Sequence, residues 1–228
     1  MALARAVVFD LDDTLYLERD YVMSGFQAVA QMVSATVGIT EQSVRTSLAR
    51  LFDNGTRGNT FDLLVAEYPE LSKHFSVVDL VTAYRSHVPN ISMICGADQL
   101  LRTLQDSGVK IALITDGFHS AQRLKFESLG LSKLVEVAVF TDVWGKHYWK
   151  PHPRSFCLLM DLWSFEPEEF VYVADNPEKD FIAPNALGWQ TIRIRTRGQL
   201  HFGKDSANDE HAAKAEVASL EQLDLVLA

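Results

Sequence analysis

Two aspartates follow the first apolar run of the chain and are spaced to share one pocket. Residues 6–9 read Ala-Val-Val-Phe, and the sequence continues Asp10-Leu11-Asp12-Asp13-Thr14-Leu15. A pair of carboxylates suits a divalent cation that prefers oxygen ligands, and it also suits a nucleophile that works beside a general acid. The alternative is a structural role, in which Asp12 or Asp13 caps the next helix.

Three later motifs add polar groups of complementary chemistry. Ile114-Thr115-Asp116-Gly117 supplies a hydroxyl and a glycine-containing turn whose backbone N–H groups can hold a phosphate oxygen. Lys150 precedes Pro151, where a cation would neutralise a carboxylate and a phosphate, although a solvated loop lysine is the better explanation if this residue is taken alone. Asp175 can complete a metal site, with Asp180 in support, and its alternative role is again a helix N-cap.

The elements that must position these residues are short strands alternating with helices. Apolar, β-branched runs predict strands at Ala6–Phe9, Val109–Ile114, Val135–Phe140, Phe170–Val173 and Gln190–Ile194, the first four of them buried. Helical patterns cover Ala97–Ser107, His119–Leu129, Pro153–Trp163 and Glu178–Leu187, and glycine follows the first, second and fourth as a stop signal. The alternation predicts an α/β fold with a doubly wound parallel (Rossmann-like) sheet.

The candidate residues fall on one edge of that predicted sheet. Asp10 with Asp12, then Thr115, Lys150 and Asp175, lie at or just beyond successive strand ends. Open α/β sheets bind their ligands outside the carboxyl ends of the strands. Separate structural explanations would have to hold at every one of these positions, so we interpret them as parts of one site.

One long segment interrupts the alternation. Residues 16–90 contain no convincing strand but show helical spacing, as at Phe26, Val29, Ala30, Val33 and Val37. We predict a small all-helical cap domain at 16–90, inserted into a Rossmann-like core formed by 1–15 and 91–228. Near the end of the chain, Arg197–Glu216 is predicted as a long loop or a frayed tail and Leu220–Leu227 as a short helix.

Composition limits the classes of partner. In 228 residues, 47% are hydrophobic and 22% charged, which is typical of a soluble globular protein, and the net charge of −9 disfavours nucleic acid and anionic membranes as partners. No apolar run reaches the roughly 18 residues of a membrane span. Cys95 and Cys157 match neither a redox pair nor a zinc site, so we expect buried, reduced thiols. Without a recognisable secretion signal, we expect a cytoplasmic protein, either a monomer or a weak homodimer.

The order of the motifs resembles the four-motif signature of the haloacid-dehalogenase-like superfamily. The matching segments are DLDDT from Asp10, ITDG from Ile114, Lys150 before proline, and VADNPEKD from Val173. The resemblance spans residues 6–194, and the insert at 16–90 resembles the helical cap of one subclass. Ala174 departs from the glycine that members often have before the last motif's aspartate.

The resemblance implies a role for each matching residue. Asp10 would be the nucleophile that forms an aspartyl-phosphate, and Asp12 would protonate the leaving oxygen and then activate water. Thr115 and Lys150 would hold the phosphoryl group. Backbone amides near Asp116 and Gly117 would assist them.

The resemblance also implies a cofactor and a reaction. Mg²⁺ would be bound by Asp10, the backbone carbonyl of Asp12, and Asp175, with Asp180 nearby. We therefore predict a magnesium-dependent phosphatase acting on a small phosphorylated metabolite, such as a sugar phosphate or a nucleotide. Asp12 favours phosphate esters over haloacids, because a departing alkoxide needs a proton and a departing halide does not. A phosphomutase or a non-catalytic binding protein on the same scaffold are the alternatives. The histidines near the motifs, and Tyr16 in the insert, are assigned no role.

Overall fold

The computed structural model describes residues 4–223 and contains a parallel sheet of six strands. The strands are β1 Ala6–Phe9, β2 Lys110–Thr115, β3 Val137–Phe140, β4 Phe170–Ala174, β5 Gln190–Ile194 and β6 Ala215–Val217. Their order is β3-β2-β1-β4-β5-β6, and every neighbouring pair is parallel. The predicted doubly wound α/β sheet is confirmed. The strand order reverses direction at β1, and such a switch point is where these sheets bind ligands.

Eight α-helices accompany the sheet in the described part of the chain. They are α1 Glu18–Val37, α2 Glu41–Asp53, α3 Thr60–Glu67, α4 Val77–Ser86, α5 Ala97–Asp106, α6 His119–Ser128, α7 Arg154–Trp163 and α8 Ile182–Ala186. The predicted glycine stops are confirmed, since Gly108, Gly130 and Gly188 all have positive φ. The helix predicted from Glu178 was placed too early. Before α8, the Asn176 side chain accepts from the Glu178 N–H and Asp180 accepts from the Asn176 N–H, and these local bonds favour turns over helix.

Both faces of the central strands are covered. Alternate residues such as Val8, Ile114 and Tyr172 form one buried cluster with Phe156 of α7 and Trp189. The intervening residues are buried as well, namely Val7, Phe9, Ile111, Leu113, Val171 and Val173. Burial on both faces explains the nearly continuous apolar runs of β1, β2 and β4. Strand β3 was predicted to be buried but is only partly so, because it lies at the edge of the sheet.

The chain divides into two compact units. One comprises residues up to Arg19 together with those from Ser92 onward, and the other is Asp20–Ile91. The second unit contains helices and no strand, and we call it the helical unit. It is held together by contacts among aromatic rings, such as Phe26 with Phe52 and Phe61. Helix α2 begins after Thr40, whose hydroxyl accepts from the Ser43 N–H, and α4 begins after a capping box formed by Ser76 and Asp79.

The segment predicted as a loop or a frayed tail is an ordered loop that leads into a strand. Gln199 is buried and its amide donates to the carbonyls of Asp13 and Ile194, at 2.6 and 3.1 Å. Strand β6 was missed because three residues, Ala215–Val217, are too few for a detectable alternation. Of the helix predicted at Leu220–Leu227, Leu220–Gln222 forms a 3-10 turn and residues 224–227 lie outside the described range.

Gln199→Ala is expected to lower the free energy of unfolding by about 1–3 kcal/mol, because it leaves two buried carbonyls without a donor. Urea unfolding measures this change. Gln105→Ala is the matched control, since Gln105 also donates to a backbone carbonyl, that of Lys133, but at an exposed site. Equal losses in the two variants would show that the buried carbonyls do not need Gln199.

Two sequence predictions on thiols and membranes can also be compared with the structure. Cys95 and Cys157 are both free, but neither is fully buried as predicted. Cys157 is partly buried, and Cys95 is exposed because it lies in the loop before α5. Within residues 4–223, the helices are all too short or too polar to span a membrane.

Candidate active site

A cavity of about 180 Å³ opens at the carboxyl edge of the sheet. Asp10 follows β1, Thr115 ends β2 and Asp175 follows β4, so three strands deliver predicted residues to this edge. The cavity is lined by Asp10, Asp12, Asp13, Glu18, Asp116, Trp149, Asp175, Asn176, Lys179 and His201. Six of these ten residues are acidic, so the cavity attracts cations and needs one to hold an anionic substrate.

Lys150 is the buried cation beside Asp10. Its Nζ lies 2.5 Å from Asp10 Oδ1 and donates to the Tyr172 hydroxyl at 3.0 Å. The same ammonium lies 2.8 Å from Asp180 Oδ1 as an ion pair, without the angle of a hydrogen bond. Burial opposes the charge on Lys150, but Asp10 and Asp180 outweigh it and raise the Lys150 pKa well above its usual value. The lysine therefore stays charged in the interior.

Three buried carboxylates form a cluster that fits a metal ion. Oxygens of Asp10, Asp175 and Asp180 lie within 4.8 Å of one another, and Asp175 Oδ2 has no hydrogen-bond partner among the described residues. Burial raises the pKa of Asp10 to about 7 even though Lys150 opposes the shift, and burial followed by Asp180 and Asp10 raises the pKa of Asp175 well above normal. One lysine does not neutralise three carboxylates. A divalent cation that prefers oxygen ligands would do so, and the residues present fit it.

Asp12 lies apart from this cluster and is held by donors of its own. Lys125 Nζ donates to Asp12 Oδ1 at 2.7 Å and Gln122 Nε2 donates to Oδ2 at 2.8 Å. The Tyr16 hydroxyl also donates to Oδ1. Burial raises the pKa of Asp12, but Lys125 and the hydrogen bonds outweigh burial and lower it. The Asp12 side chain is thus ionised and is not among the three clustered carboxylates, so its predicted metal contact through the backbone carbonyl stays a prediction.

Sequence reasoning missed all three of these donors. Gln122 and Lys125 lie one turn apart on α6, so they share a helix face, and α6 begins just after the Thr115-Asp116-Gly117 motif. That spacing was the available signal. Tyr16 was assigned to the helical insert, whereas its side chain is fully buried beside Asp12 in the sheet unit.

The Thr115 motif makes contacts that the sequence did not predict. Gln122 donates to the buried Thr115 hydroxyl at 2.5 Å. The Asp116 carboxylate accepts from the Lys150 backbone N–H at 3.1 Å and from Lys179 Nζ at 2.9 Å. Asp116 therefore positions the lysine loop through its side chain, a role that the prediction of a backbone amide did not include. Gly117 has a φ of 120°, where a side chain would be strained and would press on Gln122.

Asp13 joins the loop after β5 to the turn after β1. Its φ is 55°, and its carboxylate accepts from the backbone N–H groups of Glu18 and Leu200, both at 2.7 Å. The capping role considered for Asp13 is present, because Glu18 is the first residue of α1. The bond to Leu200 also brings the neighbouring His201 to the cavity, where His201 Nε2 lies 3.2 Å from Asn176 Nδ2.

Mg²⁺ is expected to raise the thermal stability of the chain, and Asp175→Asn to reduce that increase. A ligand at about 100 times its dissociation constant stabilises the folded state by about 2.7 kcal/mol. We expect the shift in Tm to shrink as the pH falls below about 7, because protonated Asp10 must lose its proton before the metal binds. Thermal unfolding with and without Mg²⁺ measures this. Glu178→Gln, which alters an exposed carboxylate three residues away, is the control. A shift unchanged in Asp175→Asn would place the metal elsewhere.

The fold and the cavity define a class of enzyme. A Rossmann-like sheet carries an acidic, metal-capable pocket at its switch point, and a buried lysine contacts one of the carboxylates in it. The chain belongs to the haloacid dehalogenase-like hydrolases, whose family model matches residues 7–194. The resemblance proposed from the four motifs is confirmed, and the chain is a hydrolase.

Two curated relatives and one solved structure support the assignment of the chain to this family. A glyceraldehyde 3-phosphate phosphatase of Methanocaldococcus jannaschii is 28% identical, covering 91% of this chain and 90% of the relative. A ribulose-1,5-bisphosphate 5-phosphatase of Halopiger xanaduensis is also 28% identical, covering 83% and 84%. The fold is similar to a crystal structure of a hydrolase of this family from Deinococcus radiodurans with bound phosphate and sodium (TM-score 0.69, 23% identity, covering 100% and 96%). Hydrolases of this family generally use a divalent metal.

Proposed function

We propose that this chain hydrolyses a small phosphomonoester through an aspartyl-phosphate on Asp10. In this proposal Mg²⁺ is bound by Asp10, the backbone carbonyl of Asp12, and Asp175, with Asp180 in support. The observation that carries the proposal is the buried contact between Lys150 and Asp10 beside Asp175 and Asp180. The family match and the relatives named as phosphatases make the chain a phosphomonoester hydrolase.

Two displacements at phosphorus complete the reaction. A carboxylate oxygen of Asp10 attacks phosphorus, the bond from phosphorus to the ester oxygen breaks, and its electron pair goes to that oxygen, which takes a proton from Asp12 and leaves as the alcohol. Water then attacks the phosphorus of the aspartyl-phosphate and gives a proton to Asp12. The bond from phosphorus to Asp10 breaks, its electron pair returns to the carboxylate, and phosphate is released.

The charges around Asp10 suit this sequence. Phosphoryl transfer depends on positioning and on neutralising charge, and Lys150 brings a permanent cation to the nucleophile. Bound Mg²⁺ would supply the remaining positive charge toward the phosphoryl oxygens. Thr115 at the end of β2, and the backbone amides of Asp116 and Gly117, are the proposed contacts to the phosphoryl group.

Asp12 must carry a proton when the ester bond breaks, although Lys125 holds it ionised in the protein alone. A dianionic phosphoryl group bound beside Asp12 opposes a second negative charge and so raises the pKa of Asp12. Substrate binding would thereby favour the protonated form of Asp12, which then donates that proton to the leaving oxygen. After the alcohol departs, Asp12 is ionised again and ready to accept a proton from water.

The proposed substrate is a small phosphorylated metabolite. A cavity of about 180 Å³ has room for a phosphoryl group and a leaving group of several heavy atoms. The relatives are named for glyceraldehyde 3-phosphate and ribulose 1,5-bisphosphate, which are sugar phosphates of this kind. We further propose a cytoplasmic monomer or weak homodimer without nucleic-acid or membrane partners, in keeping with the net charge of −9. The helical unit is proposed to act as a cap that sets specificity.

Phosphate release from a panel of esters tests the proposal. The panel contains the esters glyceraldehyde 3-phosphate, ribulose 1,5-bisphosphate, phosphoserine and AMP, with the anhydride pyrophosphate for comparison, each with Mg²⁺ and with EDTA. Metal-dependent release from at least one ester supports the proposal. Conversion of a sugar phosphate to an isomer without release would identify a phosphomutase, and no conversion of any ester by the folded chain would favour a non-catalytic protein.

A further inference from the structure

Lys125 is a buried cation that none of the proposed steps uses. Its side chain is 7% exposed, and its Nζ lies 2.7 Å from Asp12 Oδ1. A lysine is seldom buried without a specific partner, because its ammonium loses hydration. Here that partner is the proposed acid and base of the reaction, and the two residues are 113 positions apart in the chain. A side chain of α6 thus contacts the carboxylate that is proposed to donate and accept protons.

Gln122 connects the same carboxylate to Thr115. Its Nε2 donates to Asp12 Oδ2 at 2.8 Å and to Thr115 Oγ1 at 2.5 Å, and its side chain is 2% exposed. A primary amide has two N–H donors, which these two bonds use. A hydroxyl has a single proton, and because Thr115 accepts from Gln122 its own proton is directed away from that amide. The proton is thus available to a different acceptor, for which we propose an oxygen of the phosphoryl group.

The two oxygens of Asp12 are consequently not equivalent. Oδ1 accepts from Lys125 and from Tyr16, whereas Oδ2 accepts from Gln122. A carboxylate oxygen has two lone pairs, so the pair of donors on Oδ1 uses its capacity. Oδ2 is the oxygen with capacity for a proton.

We propose that Lys125 and Gln122 are positioning residues of the proposed reaction: they orient Asp12 so that Oδ2 gives its proton to the leaving oxygen, and Gln122 directs the Thr115 hydroxyl at the phosphoryl group. This inference rests on the proposed function. One face of α6 thereby aligns the carboxyl group of Asp12 with the ester bond. A misalignment of about 1 Å is enough to slow such a step about 100-fold.

The inference predicts that the loss of cleavage rate in a variant with a misaligned Asp12 depends on the leaving group. When the phosphorus–oxygen bond breaks, its electron pair stays on the leaving oxygen, and an alkoxide needs the proton of Asp12. A nitrophenolate is stable without it. Misaligning Asp12 should therefore slow the cleavage of an alkyl ester far more than that of a nitrophenyl ester, whereas general damage to the site should slow both alike.

The test compares 4-nitrobenzyl phosphate with 4-nitrophenyl phosphate, two esters of similar size whose leaving alcohols differ greatly in acidity. Release of the alcohol is followed in the first turnover, because this reports cleavage alone and not the later attack of water. In Lys125→Met and in Gln122→Met, we expect the benzyl ester to be cleaved about 10- to 100-fold more slowly and the nitrophenyl ester less than about 3-fold more slowly, with KM within about twofold. Lys125→Arg should recover part of the loss.

Arg123→Met is the matched control, because Arg123 is on the same helix but pairs with Glu127 at an exposed site. It should leave both rates unchanged. Equal slowing of the two esters, or no slowing of either, in folded Lys125→Met and Gln122→Met would overturn the inference while leaving the proposed function intact. Should either methionine variant fail to fold, Lys125→Gln and Gln122→Leu carry the same comparison. If the unaltered chain cleaves neither these esters nor the metabolite panel, the proposed function fails and the inference with it.

Discussion

Replacing Asp10 with asparagine is expected to reduce magnesium-dependent phosphate release by at least about 10⁴-fold, the scale of loss seen when a nucleophile is removed. An amide oxygen is a far weaker nucleophile than a carboxylate, so no phosphoryl-enzyme can form. Mass spectrometry after acid quenching should detect a phosphorylated chain in the unaltered protein and none in Asp10→Asn. Asp161→Asn, on the exposed side of α7, is the control and should retain full activity.

The same substitution separates a chemical effect from a folding effect. Asp10→Asn removes one of three clustered, buried carboxylates while Lys150 keeps its contact with Asp180. Repulsion within the cluster decreases, so the metal-free variant should unfold at a urea concentration no lower than the unaltered chain does. Retained phosphate release in Asp10→Asn would show that another group attacks phosphorus and would remove the basis of the proposed mechanism.

The sequence was sufficient to predict five of the six strands of the sheet and the residues at its carboxyl edge. Asp10 and Asp175 each follow a run of buried apolar residues, and a strand end in a parallel sheet fixes where the next side chain emerges. Lys150 was less certain from its own neighbourhood, since a lysine before a proline is common in loops. Its assignment came from the order of all four motifs. In the structure it is wholly buried against Asp10.

The supporting contacts could not be predicted, because they join residues that are distant in sequence. Gln199 and Leu200 approach Asp13 across more than 180 positions, and Lys125 approaches Asp12 across 113. Periodicity describes which face of an element is apolar but not which polar groups meet across elements. Asp116 illustrates the same limit. Its place directly after β2 was predicted, while its bonds to Lys179 and to the Lys150 backbone depend on how two later loops fold.

Substitution of Lys150 by methionine is expected to lower the free energy of unfolding of the metal-free chain by about 3–5 kcal/mol. Methionine preserves much of the volume but leaves Asp10, Asp175 and Asp180 buried without their cation. Carboxylates in that situation take up protons, as the raised pKa of Asp10 already shows with Lys150 present. Phosphate release should also be lost, because the nucleophile and the phosphoryl group would both lack this charge.

The pH dependence of this loss identifies its cause. An acid whose pKa is raised on folding weakens the folded state as the pH rises from its unfolded value of about 4 toward its folded value. Lys150→Met should raise the pKa values of the cluster further, so its destabilisation should be larger at pH 8 than at pH 6, and added Mg²⁺ should restore part of it by replacing the missing charge. Urea unfolding at the two pH values, with EDTA or Mg²⁺, measures both effects.

The control is Lys110→Met, which breaks an exposed pair with Glu136 and should lower the free energy of unfolding by less than about 1 kcal/mol at either pH. A loss in Lys150→Met that is independent of pH and of Mg²⁺ would mean that Lys150 stabilises the fold by packing and not by balancing the charge of the site.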